Sequence, residues 1–257
     1  MHKPIFTRAI LRKPGKSMIE GLSSNKLGTP DYELAQRQHS DYVSALQLCG
    51  LETIVLETDE NYPDSVFVED IALLTPASAI ITRPGAVSRR GETESIRPVI
   101  EEYYRVVYEV SAPGTVEAGD IMMVGSHYYI GISERTNREG AEQLIAFLEE
   151  HGMTGSAIEL RDVLHLKTGV SYLENNTLLA AGEFLQKKEF QNFDIIDIDP
   201  SESYAANCIW VNGNVLLPAG YPCTRDKIRD AGYKIIEIDV SEFRKLDGGL
   251  SCLSLRF

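Results

Sequence analysis

The stretch EDIALLT, residues 69–75, sets an acidic pair directly against an apolar run too short for a helix and closed by a turn. Its pattern returns four times: GDIMMV starts at Gly119, HLKTGVSYL at His165, NCIWV at Asn207 and SCLSL at Ser251. Counted from Glu69, the starts lie 50, 46, 42 and 44 residues apart. A near-constant interval of this length marks supersecondary units packed about an axis, because one such unit cannot bury its apolar face alone. Five units of this size fill the chain. The residue similarity between units is slight, and an ordinary mixed α/β sheet with uneven loops is the plain alternative.

Working outward from these runs, ENN at 174–176 and NGN at 212–214 predict hairpins within SYLENNTLLAAG and CIWVNGNVLLPAG. TIVLE, AIITRPG, YYIGI and KIIEIDV read as further strands, and CLSLRF as a last one. Between them, LGTPDYELAQRQHSDYVSALQLCGL (27–51) opens with Thr-Pro-Asp, spaces Leu34, Tyr42, Leu46 and Leu48 helically, and stops at Gly50. ETESIRPVIEEYYRV, TNREGAEQLIAFLEEHG and TRDKIRDAGY repeat the theme, the last two ending at Gly152 and Gly232. Strand pairs alternate with amphipathic helices, so the class is α/β.

With 257 residues, 43% of them hydrophobic, the chain can bury a substantial core, and a single catalytic domain over 1–257 is expected. Thirty-eight acidic against 25 basic residues give a net charge of -13, which repels nucleic acid and anionic lipid and suits a cationic ligand. The opening MHKPIFTRAILRKPGK is charged and broken by prolines, and no apolar run reaches membrane-span length. A cytoplasmic location is therefore expected. Cys49, Cys208, Cys223 and Cys252 lack paired spacing and read as free thiols. The five histidines form no HxH, HxxxH or similar metal-binding pattern, so neither a metal nor another cofactor is expected.

If the units ring an axis, the polar residues that open them converge at one end. Glu69, Asp70, Glu117, Asp120, His165 and Cys252 would then face one pocket, a set that suits a thiolate nucleophile with an imidazole to move protons. Each also has a bland reading. His165 alone is a core histidine, Glu69 and Asp70 cap a turn, the EAGD of 117–120 is a solvated loop, and Arg89, Arg90 and Arg135 are surface charges. Cys252 stands apart from the other thiols because it follows Gly248 and Gly249, which permit unusual backbone and close approach. Cys49 falls in a helix, Cys208 in an apolar strand and Cys223 in a Pro turn.

PDSVFVED at 63–70, ITRPGAVSRRGE at 81–92, GTVEAGD at 114–120, ISERTNREGAEQL at 132–144, VLHLKTGVSYL at 163–173 and DGGLSCLSLRF at 247–257 resemble the dimethylarginine dimethylaminohydrolase family, in order and through nearly the whole chain. The resemblance implies the pentein superfamily and its five-bladed α/β propeller of ββαβ units. It implies hydrolysis of Nω-methylated arginine to citrulline and methylamine or dimethylamine, with Cys252 as nucleophile, His165 as general acid and base, and Glu117 orienting His165. Glu69 and Asp70 would hold the guanidinium. Asp64 and the carbonyls near Leu22 and Leu246 would take the α-amino group, and Arg89 and Arg135 the α-carboxylate.

The charges make sense of that assignment, since carboxylates match the planar fork of a guanidinium and arginines match a carboxylate. Negative charge beside the thiol raises its pKa, so a bound guanidinium is expected to help ionise Cys252. Two departures from the wider superfamily stand out: Lys167 where arginine deiminases carry an Asp, and Ala118 where a Gly is common. Lys167 favours an N-alkylated substrate over free arginine. Arginine deimination, amidino transfer and a non-catalytic binder of arginine derivatives are the competing readings. The partner is a small cationic amino acid, with no nucleic acid, no membrane and no cofactor; zinc would bind only adventitiously, and a homodimer is left open.

Overall fold

Apolar runs without polar alternation, AIL at 9–11, AII at 79–81, LLA at 178–180 and VLL at 215–217, lie in strands buried on both faces. The computed structural model describes residues 5–257, and residues 1–4 of the opening segment, His2 among them, lie outside it. β1 (Arg8–Arg12) pairs in parallel with β2 (Glu52–Leu56). The second sheet holds β3 (Ala72–Leu74), β4 (Ala79–Ile81) and β5 (Val107–Glu109), and the third β6 (Ile121–Val124), β7 (His127–Ile132) and β8 (Thr154–Glu159). The fourth has β9 (Val170–Tyr172), β10 (Thr177–Ala180) and β11 (Asp194–Asp197), and the fifth β12 (Ile209–Val211), β13 (Asn214–Pro218) and β14 (Lys234–Ile238). β15 (Leu255–Arg256) then returns to the first sheet, antiparallel to β1, with Ala9 opposite Arg256 and Ile10 opposite Leu255.

All five sheets share one wiring. A first strand is antiparallel to the middle strand, and a crossover leads to a third strand parallel to the middle one. The crossovers are α1 (Tyr32–Leu48), α2 (Glu92–Glu101), α3 (Arg138–Glu149) and α4 (Pro222–Asp230), with two 3-10 turns, Gly182–Gln186 and Lys188–Phe190, in the fourth sheet. In β1, Ala9 and Leu11 enter one apolar cluster while Ile10 enters the next. Leu178 and Leu179 of β10, and Val215 and Leu216 of β13, divide in the same way. Each middle strand thus feeds two cores by its period of two, and five cores sit at the five junctions between sheets. This is a five-bladed α/β propeller, as expected.

Turn chemistry fixes the hairpins. Val211 faces Asn214 across a two-residue loop in which Asn212 and Gly213 both have positive φ, 48° and 92°, the geometry that matches strand twist. Asp31 caps α1 by accepting the Leu34 N–H at 3.0 Å. The buried face of that helix is Ala35, Gln38, His39, Tyr42, Ala45 and Leu46, whereas Leu48 is 80% exposed, against expectation. α2 ends at Glu101 although its pattern runs on to Val106. A further α-helix, α5 (Ser241–Arg244), is a single turn ahead of the segment that carries Cys252.

What positions a site is a feature common to the five blades. A 3-10 turn precedes every first strand by two residues at most: Val68–Ile71, Ala118–Asp120, Leu166–Thr168, Pro200–Ala206 and Ser251–Leu253. Glu69 and Asp70 lie within the first turn, Glu117 and His165 directly precede the second and third, Asn207 directly follows the fourth, and Cys252 lies within the fifth.

Candidate active site

The Cys252 turn is held by hydrogen bonds from three other segments. Tyr42 of α1 donates to the Leu250 carbonyl at 2.9 Å, Tyr204 donates to the Gly248 carbonyl at 2.7 Å, and Asn207 Oδ1 accepts the Ser251 N–H at 2.9 Å. The Gly249 N–H points at Cys252 Sγ, 3.4 Å away. Neither Gly248 nor Gly249 has a positive φ; that strain falls on Asp247, at 59°. The glycines are needed for room, because a Cβ on Gly248 would lie 2.2 Å from the Phe67 ring and one on Gly249 2.4 Å from the Asn207 side chain.

Cys252 opens onto a cavity of about 160 Å³ lined also by Leu22, Asp64, Asp70, Arg89, Glu117, Arg135, His165 and Leu246. His165 Nε2 is 2.9 Å from Glu117 Oε2, a contact that orients the ring. Glu117 Oε1 accepts the Ala86 N–H at 3.0 Å and has Arg135 Nη1 3.6 Å away. Asp64 Oδ1 accepts the Leu22 N–H at 2.9 Å. Gly119 closes the rear of this wall, where a Cβ would stand 2.7 Å from His165 Nδ1 and 2.8 Å from Asp70 Oδ1.

Electrostatics set the resting protonation states. Burial pushes the Cys252 thiol up to about 12, and Asp70 and Glu69 add to the rise. Burial alone would lower His165, but Asp120, Asp70 and Glu117 together raise it to about 9. Burial likewise opposes ionisation of Glu117, yet the hydrogen bond and charge of His165 hold it at about 2. At neutral pH the empty cavity therefore holds a thiol, an imidazolium and a carboxylate. Burial raises Asp64 too, with Arg89 opposing.

Three residues do not sit as expected. Glu69 is absent from the cavity wall: its Oε1 meets Lys167 Nζ at 2.5 Å and Arg256 Nη2 at 3.4 Å on the far side of the turn. Successive side chains of a 3-10 turn stand about 120° apart, and here Asp70 faces this cavity while Glu69 faces another. Asp120 also turns away, accepting from the Leu166 N–H at 2.9 Å and from Ser133 Oγ at 2.7 Å. Arg89 lines the cavity but is committed elsewhere, with Asp70 at 2.6 Å, Glu92 at 2.8 Å and the carbonyls of Asp64 and Phe67 as acceptors. One Nη1 hydrogen remains for a ligand, so Arg89 is first a buried brace. Asn207 and Gly119 both stand at unit starts, and their part in the site was readable only as position in the repeat.

A family model described as N,N dimethylarginine dimethylhydrolase, eukaryotic, matches residues 25–254. A Pseudomonas aeruginosa N(G),N(G)-dimethylarginine dimethylaminohydrolase is 60% identical over 254 residues, 98% of this chain and 100% of that protein. The chain belongs to the dimethylarginine dimethylaminohydrolase family. The P. aeruginosa enzyme as a Cys-to-Ser mutant complexed with citrulline superposes with a TM-score of 0.97, at 60% identity over 98% of this chain and 99% of that one. A His-to-Gly dimethylarginine dimethylaminohydrolase, as its adduct with S-methyl-L-thiocitrulline, gives 0.97 at 59% identity over 98% and 100%.

In this dimethylarginine dimethylaminohydrolase family member, Asp70, Glu117 and His165 bring one ligand atom each within 4.8 Å of one another. All three already serve protein partners: Asp70 takes Arg89 and the Gly119 N–H, and Glu117 takes His165 and Ala86. Among the described residues, no helix is long and apolar enough to cross a membrane.

Proposed function

We propose that the chain hydrolyses Nω-methylated arginine to citrulline and methylamine or dimethylamine through a covalent intermediate on Cys252. One observation carries this: a cavity walled at once by a thiol, a hydrogen-bonded imidazolium–carboxylate pair and a second buried carboxylate, Asp70. Citrulline bound by the P. aeruginosa relative is the product this reaction requires. Asp70 and Glu117 face the guanidinium, Asp64 with the carbonyls of Leu22 and Leu246 takes the α-amino group, and Arg135 with the spare Arg89 hydrogen takes the α-carboxylate. Four free cysteines support a reducing, cytoplasmic setting.

The steps follow from the resting charges. A bound guanidinium offsets Asp70 beside the sulfur, and the thiol releases its proton to solvent. The thiolate adds to the central guanidino carbon. His165 donates a proton to the methylated nitrogen, whose bond to carbon breaks, and the neutral amine leaves. The neutral imidazole then takes a proton from water as that oxygen attacks the thiouronium carbon. The C–S bond breaks, the hydroxyl proton of the adduct passes to the departing thiolate, citrulline leaves, and the resting thiol and imidazolium return.

Product analysis with asymmetric dimethylarginine, monomethylarginine and arginine in parallel tests the reading. Citrulline with dimethylamine or methylamine from the first two, and little ammonia from arginine, is the expected result. Ammonia as the main amine would make the chain an arginine deiminase; label passing to an added amine would make it a transferase.

A further inference from the structure

Behind the substrate cavity lies a second one of about 140 Å³, whose walls include Glu69, Ala118, Lys167, Ser251 and Arg256. Each is one, two or four residues from a wall residue of the first cavity: Asp70, Glu117, His165 and Cys252. The partition between the cavities is therefore a layer of turns one residue thick, with chemistry on one side and a buried ion cluster on the other. That cluster is Lys167–Glu69–Arg256, with side chains 14%, 5% and 14% exposed. Its members come from the three segments that carry Asp70, His165 and Cys252. Among the described residues Glu69 Oε2 is buried with no hydrogen-bond partner, so Lys167 and Arg256 on Oε1 are the compensation for its charge.

We propose that Lys167 is a positioning residue of the reaction: by its ion pair to Glu69 it joins the His165 turn to the Asp70 turn and cancels a second negative charge behind Cys252. The geometry makes both effects unavoidable. Lys167 shares a turn with His165, and Glu69 shares one with Asp70, so their 2.5 Å contact sets how far the imidazole stands from the guanidinium clamp. The charged and titratable groups around the thiol are Asp70 and Glu69 on one turn and His165 and Lys167 on another. Glu117, Tyr204 and Arg256 stand nearby, and Asp64, Arg89, Arg135 and Asp247 face the thiol from the rest of the cavity wall. Asp70 is the carboxylate that substrate neutralises. Glu69 is turned from the substrate, and its charge has to be met by the protein itself.

This inference rests on the proposed reaction, and its test is read without turnover. The rate of Cys252 alkylation by iodoacetamide, followed by peptide mass spectrometry from pH 6 to 11, reports the thiol directly. Lys167→Met should lower the alkylation rate at a given pH about tenfold, and Glu69→Gln should raise it. The double variant, which buries no uncompensated carboxylate, should return near wild type and is the folded variant to read if Lys167→Met loses stability. Lys167→Arg should restore both the profile and turnover. In steady state Lys167→Met should lower kcat about tenfold or more with a smaller change in KM. A wild-type alkylation profile in Lys167→Met, or a double variant no closer to wild type than the more impaired single one, would overturn the proposal. Absence of citrulline production in the wild type with a shifted alkylation profile would instead sink the reaction and leave the charge device standing.

Discussion

His165 holds its charge against burial because Asp120, Asp70 and then Glu117 face it, Glu117 holds its own because His165 is there, and their pKa values displace in opposite directions. His165 rises from 6.5 to about 9, so its stabilising effect is complete below 6.5 and fades as pH climbs through 9. Glu117 falls from 4.5 to about 2, so its effect is complete above 4.5 and fades as pH drops through 2. Both act in full between 4.5 and 6.5. Thermal melts of Glu117→Gln against wild type should differ most in that window and converge toward pH 9. The thiol adds a second residue-scale prediction: a cationic guanidine that cannot react should lower the apparent pKa of Cys252 when bound, as read by absorbance at 240 nm (about the thiolate band). An unchanged value would remove the substrate-assisted step. At this scale the resemblance identified the right turns but not the side from which each residue looks out. Glu69 and Asp70 are neighbours in sequence and face different cavities. Arg89 has the right type and place to meet a carboxylate, yet Asp70 and Glu92 hold it.

Among the elements, the 3-10 turn at 118–120 packs directly against both His165 and Asp70. Gly119 leaves no space for a side chain between His165 and Asp70. Gly119→Ala should cost about a hundredfold in kcat/KM through a displacement of less than 1 Å, with far-UV circular dichroism unchanged. Wild-type activity in that variant would mean the imidazole has more freedom than these contacts allow. The elements legible in the sequence were those with strong local chemistry: the ENN and NGN hairpins, the capped helices and the apolar middle strands. β1 was missed because Arg8 and Arg12 flank its three apolar residues and prolines lie on both sides. β5, β8 and β11 were missed because edge strands are half exposed, and their mixed residues have no clear period. The fourth crossover gave no helical period because it is built from two 3-10 turns.

For the whole molecule, the repeat of unit starts announced five blades, and the structure explains the uneven steps by crossovers of different length. The sequence reads CLSLRF as a last strand that closes the ring, but not that it joins the first sheet. The first blade is assembled from both ends of the described chain, with β15 laid against β1 and the Phe257 carbonyl accepting from the Thr7 and Arg8 N–H groups at 2.7 and 2.8 Å. Leu255 is 4% exposed in the core shared with the second blade. Closure and catalysis are therefore coupled, because the segment that shuts the ring also carries the nucleophile. Removing residues 255–257 should lower Tm by about 5–10 °C, the scale expected for losing about 2–3 kcal/mol in a domain of this size. Activity should fall more steeply than stability, since the Cys252 turn loses its anchor. A truncated chain with both properties intact would mean the ring is held without its closing strand.

The central claim is a covalent bond between Cys252 and the guanidino carbon of the substrate. Rapid acid quench of the enzyme turning over asymmetric dimethylarginine, followed by peptide mass spectrometry, tests it most directly. The account predicts an adduct on the peptide containing Cys252, equal to substrate minus dimethylamine, that forms before citrulline and is absent from Cys252→Ser. Citrulline formed at an ordinary rate by Cys252→Ser, or an adduct on another residue, would contradict it.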